Sequence, residues 1–165
     1  MRLFTAIELC ENAKRAVSSV ADNLSLFGKG SFVKSGSYHV TLAFLGEMPS
    51  AAEAIRAMEA LSFPPFTLTL RDLGHFGSTY FVSTEESKEL KLLQKSLCDN
   101  LRAEGLTLEE LKFTPHITLA RRFTPTTDPM IFVPDTSWTV ERVVLMQTVG
   151  AGEYKILHEK RCNLE

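Results

Sequence analysis

The sequence predicts an α+β domain with mainly antiparallel sheets. Three observations carry this: strand and helix periodicities alternate along the chain, one polar strand pattern occurs in each half, and no low-complexity segment divides the 165 residues. A composition of 44% hydrophobic and 23% charged residues suits a chain that buries a substantial core. One domain, residues 1–165, is expected.

The elements follow in order. "RLFTAIEL" has strand character, and from Glu11 to Phe27 the residues Ala13, Ala16, Val17, Val20, Leu24 and Phe27 recur at helical spacing. "GKGSF" stops that helix and leads into a short strand, "SFVKS", ahead of the strand "SYHVTLAFLGE". Pro49 and the apolar positions Ala51, Ala54, Ile55, Met58 and Leu61 predict a second helix, closed by Pro64-Pro65. "PFTLTLRDLGHFG" and "TYFVSTEE" read as strands around the turn "GHFGS". Glu86 to Glu104 is a helix with Leu90, Leu93, Leu97 and Leu101 on its core face and Gly105 as its stop. The strand "FTPHITLARR" follows, then a segment whose prolines at 125, 129 and 134 imply an irregular connection. "WTVERVVLMQTV" and "EYKILHEKR" close the chain as two strands, and the terminal Leu-Glu pair is given no role.

Charge and cysteine usage narrow the function classes. A formal net charge of −2 argues against a protein that coats nucleic acid non-specifically, but leaves room for a small or terminal anionic ligand at one site. Cys10, Cys98 and Cys162 are odd in number and widely spaced, which fits reduced structural thiols rather than a disulfide framework or zinc ribbon. The first ten residues contain Glu8 and no secretory pattern, and no apolar run reaches membrane-spanning length; a cytoplasmic monomer is expected.

The chemistry lies in the repeated strand. His39-Val40-Thr41-Leu42-Ala43 and His116-Ile117-Thr118-Leu119-Ala120 share one pattern, in which alternation puts histidine, threonine and alanine on one face and the larger aliphatics on the other. A single His-x-Thr in a strand reads as a surface histidine beside a threonine chosen for β-propensity. Its recurrence in an equivalent context points instead to two imidazoles that divide acid–base work on a phosphodiester, with two hydroxyls donating to its non-bridging oxygens.

"RLFTAIEL", "HVTLAFLGE", "PFTLTLRDLGHFG" and "FTPHITLARR" resemble, in order and spacing, the RNA 2′,3′-cyclic phosphodiesterases, or 2′-5′ RNA ligases, of the two-histidine (2H) phosphoesterase superfamily. The resemblance implies two pseudo-symmetric lobes, each an antiparallel sheet with outer helices, with the active site in the cleft between them. It implies RNA 3′ ends or nucleotides bearing a 2′,3′-cyclic phosphate as substrate, opened to a 2′-phosphate, and 2′-5′ joining without ATP in some members. His39 and His116 would be catalytic, Thr41 and Thr118 substrate-binding. An arginine after the second motif falls on Arg121, and an aromatic five residues after the first histidine falls on Phe44. In regular strands both lie opposite the histidine face, so a bulge would have to turn them inward. The lead-in departs from that of relatives, with Ser37-Tyr38 before His39.

His116 is assigned as the base that activates water and His39 as the acid, although near-symmetric motifs allow the exchange. His75 and His158 lack the His-x-Thr context and are expected to be structural or solvent-facing; no metal site and no cofactor are expected. Lys29, Lys34, Lys112 and Arg122 flank the motifs and read as solvated surface, while Phe44, Phe76 and Phe113 weigh toward core on strand statistics. The alternatives are a 2H phosphodiesterase acting on 2′-5′ oligonucleotides or nucleotide cyclic phosphates, and a non-catalytic module that binds RNA ends.

Overall fold

A computed structural model describes residues 1–110 and 112–163; the terminal Leu-Glu pair lies outside the described residues. The chain forms β1 (Arg2–Glu8), α1 (Glu11–Leu24), β2 (Gly28–Phe32), β3 (His39–Glu47), α2 (Ala52–Glu59), β4 (Phe66–Phe76), β5 (Thr79–Thr84), α3 (Lys88–Ala103), β6 (His116–Pro125), β7 (Ser137–Val140), β8 (Arg142–Gly150) and β9 (Glu153–Arg161). A four-stranded sheet runs β3-β1-β8-β9 and a five-stranded sheet runs β2-β6-β5-β4-β7. Every strand pair is antiparallel, as the sequence predicts for an α+β chain.

The two lobes correspond strand for strand: β3-β1-β8-β9 matches β6-β5-β4-β7, with β2 added beyond β6. Helix α1 packs on β6 and β7, whereas α2 and α3 pack together and against the four-stranded sheet. Helices α1 and α3 form where an apolar stripe meets a side-chain cap, whereas α2 has no side-chain cap at Ala51. The Cys10 thiol accepts from the Ala13 amide at 3.5 Å at the start of α1, and the Ser87 hydroxyl accepts from the Leu90 amide at 3.1 Å at the start of α3. Leu90, Leu93, Leu97 and Leu101 are buried as their spacing predicts, and Gly105 ends the α3 segment at φ 94°.

Three boundaries differ from expectation. The strand after α1 is "GKGSF" itself rather than "SFVKS", and Ser35–Ser37 is a short 3₁₀ turn. Gly28 and Gly30 are there for close approach: a Cβ on Gly28 would lie 2.3 Å from the Thr124 carbonyl oxygen, and one on Gly30 2.8 Å from Phe123 Cα. "WTVERVVLMQTV" is two strands, because the chain leaves the five-stranded sheet at Glu141 and enters the other as β8; apolar alternation continues across such a switch and does not mark it. The β4–β5 turn is only Gly77-Ser78, so His75 and Phe76 belong to the end of β4.

β1 is buried on both faces. Leu3 and Ile7 join the larger core that runs through both sheets, while Phe4 and Ala6 pack with Val144 and Met146 on the opposite face, against Tyr154. That second, smaller cluster lies beneath the cleft described next.

Candidate active site

β3 and β6 approach each other across a cleft between the lobes, and both carry a β-bulge at the same place in the motif. On β3, Thr41 pairs with Ala6 and Ala43 with Thr5, which leaves Leu42 as the extra residue. On β6, Thr118 pairs with Phe81 and Ala120 with Tyr80, which leaves Leu119 as the extra residue. Two consecutive side chains on the bulged strand then face the core, and the alternation reverses beyond them. Leu42 and Ala43 are both buried, as are Leu119 and Ala120.

The reversal places the two residues that regular strands would put on the wrong face. Phe44 is 73% exposed and lines the cleft with its ring centroid 6.2 Å from that of Phe4, and Arg121 lines the same cleft. The bulge also corrects the placement of Ala43: simple alternation puts it on the histidine face, but it is buried and packs with the core at the floor of the cleft.

The imidazoles are held alike. His39 Nδ1 donates to the Ser37 carbonyl at 2.8 Å, and His116 Nδ1 donates to the Thr114 carbonyl at 2.7 Å. A carbonyl oxygen only accepts, so each Nδ1 carries the hydrogen and each Nε2 is left for chemistry. Here the unusual lead-in finds its role: the 3₁₀ turn at Ser35–Ser37 presents the carbonyl that orients His39. His39 Nε2 accepts from the Thr41 hydroxyl at 3.0 Å. Burial pushes the His39 ring below its ordinary imidazole value, against the Ser37 hydrogen bond, and the charges of Arg121 and His116 push the same way as burial.

Aromatic rings grip each histidine in matching fashion, a feature that sequence reasoning missed. Tyr154 meets His39 edge-on at 5.3 Å and Phe76 meets His116 edge-on at 5.5 Å, while Phe4 and Phe81 each lie 5.1 Å from their histidine in a tilted contact. These four come from β9, β4, β1 and β5, so no local pattern joins them to the motifs. Phe76 is 52% exposed at the cleft, not core as strand statistics suggest.

The cleft has a volume of about 1110 Å³, and His39, Thr41, Phe44, His116, Thr118 and Arg121 all line it. Lys112 also lines it, whereas Arg122 donates to the Ser31 hydroxyl at 3.0 Å and Lys34 pairs with Glu153 at 3.9 Å. His75 stacks on Tyr80 at 4.9 Å, and His158 bonds Glu59 at 2.6 Å, both away from the cleft. Among the described residues no three His, Cys, Asp or Glu side chains converge as a metal site, and no helix is long and apolar enough to cross a membrane.

The solved structures with this fold include E. coli LigT complexed with 3′-AMP, at a TM-score of 0.80, 24% identity and coverage of 99% of this chain and 98% of that one. A structure from Thermus thermophilus superimposes at a TM-score of 0.79 with 27% identity, covering 98% of this chain and 97% of that one. Curated relatives include an RNA 2′,3′-cyclic phosphodiesterase of Geobacillus stearothermophilus, 32% identical over 162 residues and matched over 88% of this chain. The match spans 51% of that protein, so the chain covers about half the length of this relative. A second, from Thermotoga maritima, is 32% identical over 132 residues, which are 73% of this chain and 70% of that protein. The family model of the 2′-5′ RNA ligase superfamily matches residues 14–152, a span that holds both His-x-Thr strands. The chain belongs to the 2′-5′ RNA ligase superfamily.

Proposed function

We propose that this protein hydrolyses RNA 2′,3′-cyclic phosphate ends to 2′-phosphates by metal-independent acid–base catalysis. The observation that carries the reading is the pair of imidazoles in one cleft, each locked through Nδ1 to a backbone carbonyl two residues before it. Curated relatives bearing the name RNA 2′,3′-cyclic phosphodiesterase support it.

In this mechanism His116 takes a proton from water as the water oxygen bonds to phosphorus. The bond from phosphorus to the ribose 3′-oxygen breaks, and His39 gives that oxygen a proton, leaving a 2′-phosphate and a 3′-hydroxyl. Thr118 and Arg121 hold the phosphoryl oxygens. Thr41 joins them once His39 is protonated, because Nε2 then stops accepting and the hydroxyl hydrogen is released to the phosphoryl group. Burial disfavours the charged form of His39 in the free cleft, and the bound anion between the rings offsets Arg121 and draws a proton onto it. Phe44, exposed beside the site, offers a face on which the terminal base stacks. A 5′-hydroxyl in place of water would give 2′-5′ joining by the same transfers. A cytoplasmic monomer completes the reading, tested by fractionation and light scattering.

The test is an oligonucleotide ending in a 2′,3′-cyclic phosphate, incubated with chelator, with the product isomer identified. Conversion to the 2′-phosphate is expected. Turnover that requires metal refutes the mechanism; binding without turnover favours the RNA-end-binding module; faster turnover of 2′-5′ oligonucleotides or nucleotide cyclic phosphates reassigns the substrate.

A further inference from the structure

The lobes repeat the motif, the bulge and the aromatic grip, but not the residue that stands beside each histidine. In the four-stranded sheet the cross-strand partner of His39 is Glu8; in the five-stranded sheet the partner of His116 is Ser83. Directly paired side chains share a face, with Cβ atoms roughly 4.5–5.5 Å apart. Glu8 therefore brings a carboxylate to His39. Ser83 brings no charge to His116, and its hydroxyl is engaged at 3.2 Å with both the amide and the carbonyl of Asp72.

Glu8 is itself restrained. Arg142 on β8 donates to the Glu8 carboxylate and, through its other nitrogen, to Glu159 on β9. His39, Glu8, Arg142 and Glu159 are thus linked across all four strands of the sheet, with Glu159 reaching Arg142 diagonally from beside its register partner Arg161. The remaining groups facing His39 are Phe4 from β1, the Tyr154 phenol from β9, and Arg121 and His116 from β6. Of these neighbours and Glu8, only Glu8 favours a proton on the ring by its charge, while Arg121 and His116 oppose one.

We propose that Glu8, restrained by Arg142, is the positioning residue that breaks the near-symmetry of the paired motifs and makes His39 the ring that carries the proton to the leaving oxygen. This rests on the acid–base reading above. The fixed negative charge favours imidazolium at His39, a charge that Ser83 does not offer in the other lobe, and the Arg142 tether tempers it so that the proton remains releasable. Substrate anion then supplies what burial and the β6 cations withhold.

The experiment follows the ring signals of both histidines by NMR through a pH titration of the whole protein. Glu8→Gln is expected to lower the His39 midpoint by about half a unit to one unit, at or below the low end for an opposite charge at this range because Arg142 shares the carboxylate, and Glu8→Asp to restore it. Arg142→Met is expected to move it the other way, and His116 to stay in place in both variants. An unmoved His39 midpoint, or shifts of the same sign in both variants, overturns the proposal. Kinetics supply a second arm. In Glu8→Gln the ratio of the rate with a ribose leaving group to that with a nitrophenolate, which needs no proton, falls about three- to tenfold, matching the shift in proton affinity. Equal losses on the two substrates overturn the acid assignment. The titration needs no turnover, so it stands apart from failure of the cyclic phosphate reading.

Discussion

Replacing Thr118 by valine tests the cleft most directly, because the shape of the side chain is kept and only the hydroxyl is lost. Thr118 lies between Ile117 and Leu119, both fully buried, so the strand is anchored on either side of the change. Thr118 is only partly buried and lines the open cleft, so thermal stability should stay within about 0.5 kcal/mol of the parent, as for substitutions away from the packed core. The loss is confined to the reaction. A hydrogen bond to a charged phosphoryl oxygen is worth about 1.5–3 kcal/mol, which corresponds to a fall of roughly 10- to 160-fold in kcat/KM. The assay is hydrolysis of a labelled oligonucleotide ending in a 2′,3′-cyclic phosphate, followed from acid to alkaline pH beside a thermal melt. Thr118→Val should lower the rate evenly across pH. Thr41→Val, which removes the hydrogen bond onto His39 Nε2, should also displace the pH profile. A Thr118→Val rate within threefold of the parent, with the fold intact, would remove this hydroxyl from the phosphoryl site.

Other outcomes follow from the same geometry. Either His39→Ala or His116→Ala should cost at least about 10²–10⁴-fold in hydrolysis, the usual worth of a general acid or base, with unchanged circular dichroism. Phe44→Ala should leave the melting temperature almost unmoved, since the ring is 73% exposed, yet weaken binding of an RNA end by about 1–3 kcal/mol through lost stacking, read as a raised KM. The His39 ring sits below its ordinary value of 6.5, so between that value and its folded one the unfolded chain binds the extra proton. Stability should therefore fall as pH drops through that window, and His39→Asn should flatten the fall in a series of melts. Gly28→Ala should destabilise the β2–β6 pairing by about 1–3 kcal/mol, because its Cβ would lie 2.3 Å from the Thr124 carbonyl oxygen, and urea titration measures the loss.

How much of this was legible beforehand differs from element to element. The helix carrying Leu90, Leu93, Leu97 and Leu101 was readable because a 3.6-residue stripe needs only its own segment to declare itself. The division of "WTVERVVLMQTV" between two sheets was not, since each half alternates correctly and only its partner strand says where it belongs. His39, Thr41, His116 and Thr118 could be chosen because two copies of one polar pattern are rarer than one. Tyr154, Phe76, Phe4 and Phe81 could not, because each reaches a histidine only through strand pairing or across the cleft.

The sequence by itself determined the residue types, their repetition and their alternation up to Thr41 and Thr118, all of which are local properties of the chain. The tertiary structure decided the rest. Leu42 and Leu119 look like any core-facing strand residues, and only the register of β1 and β5 makes them the extra residues that turn Phe44 and Arg121 into the cleft. Glu8 and Ser83 likewise become neighbours of the histidines only when those strands pair. Alternation is written along one strand, whereas a bulge and a cross-strand charge exist only between two.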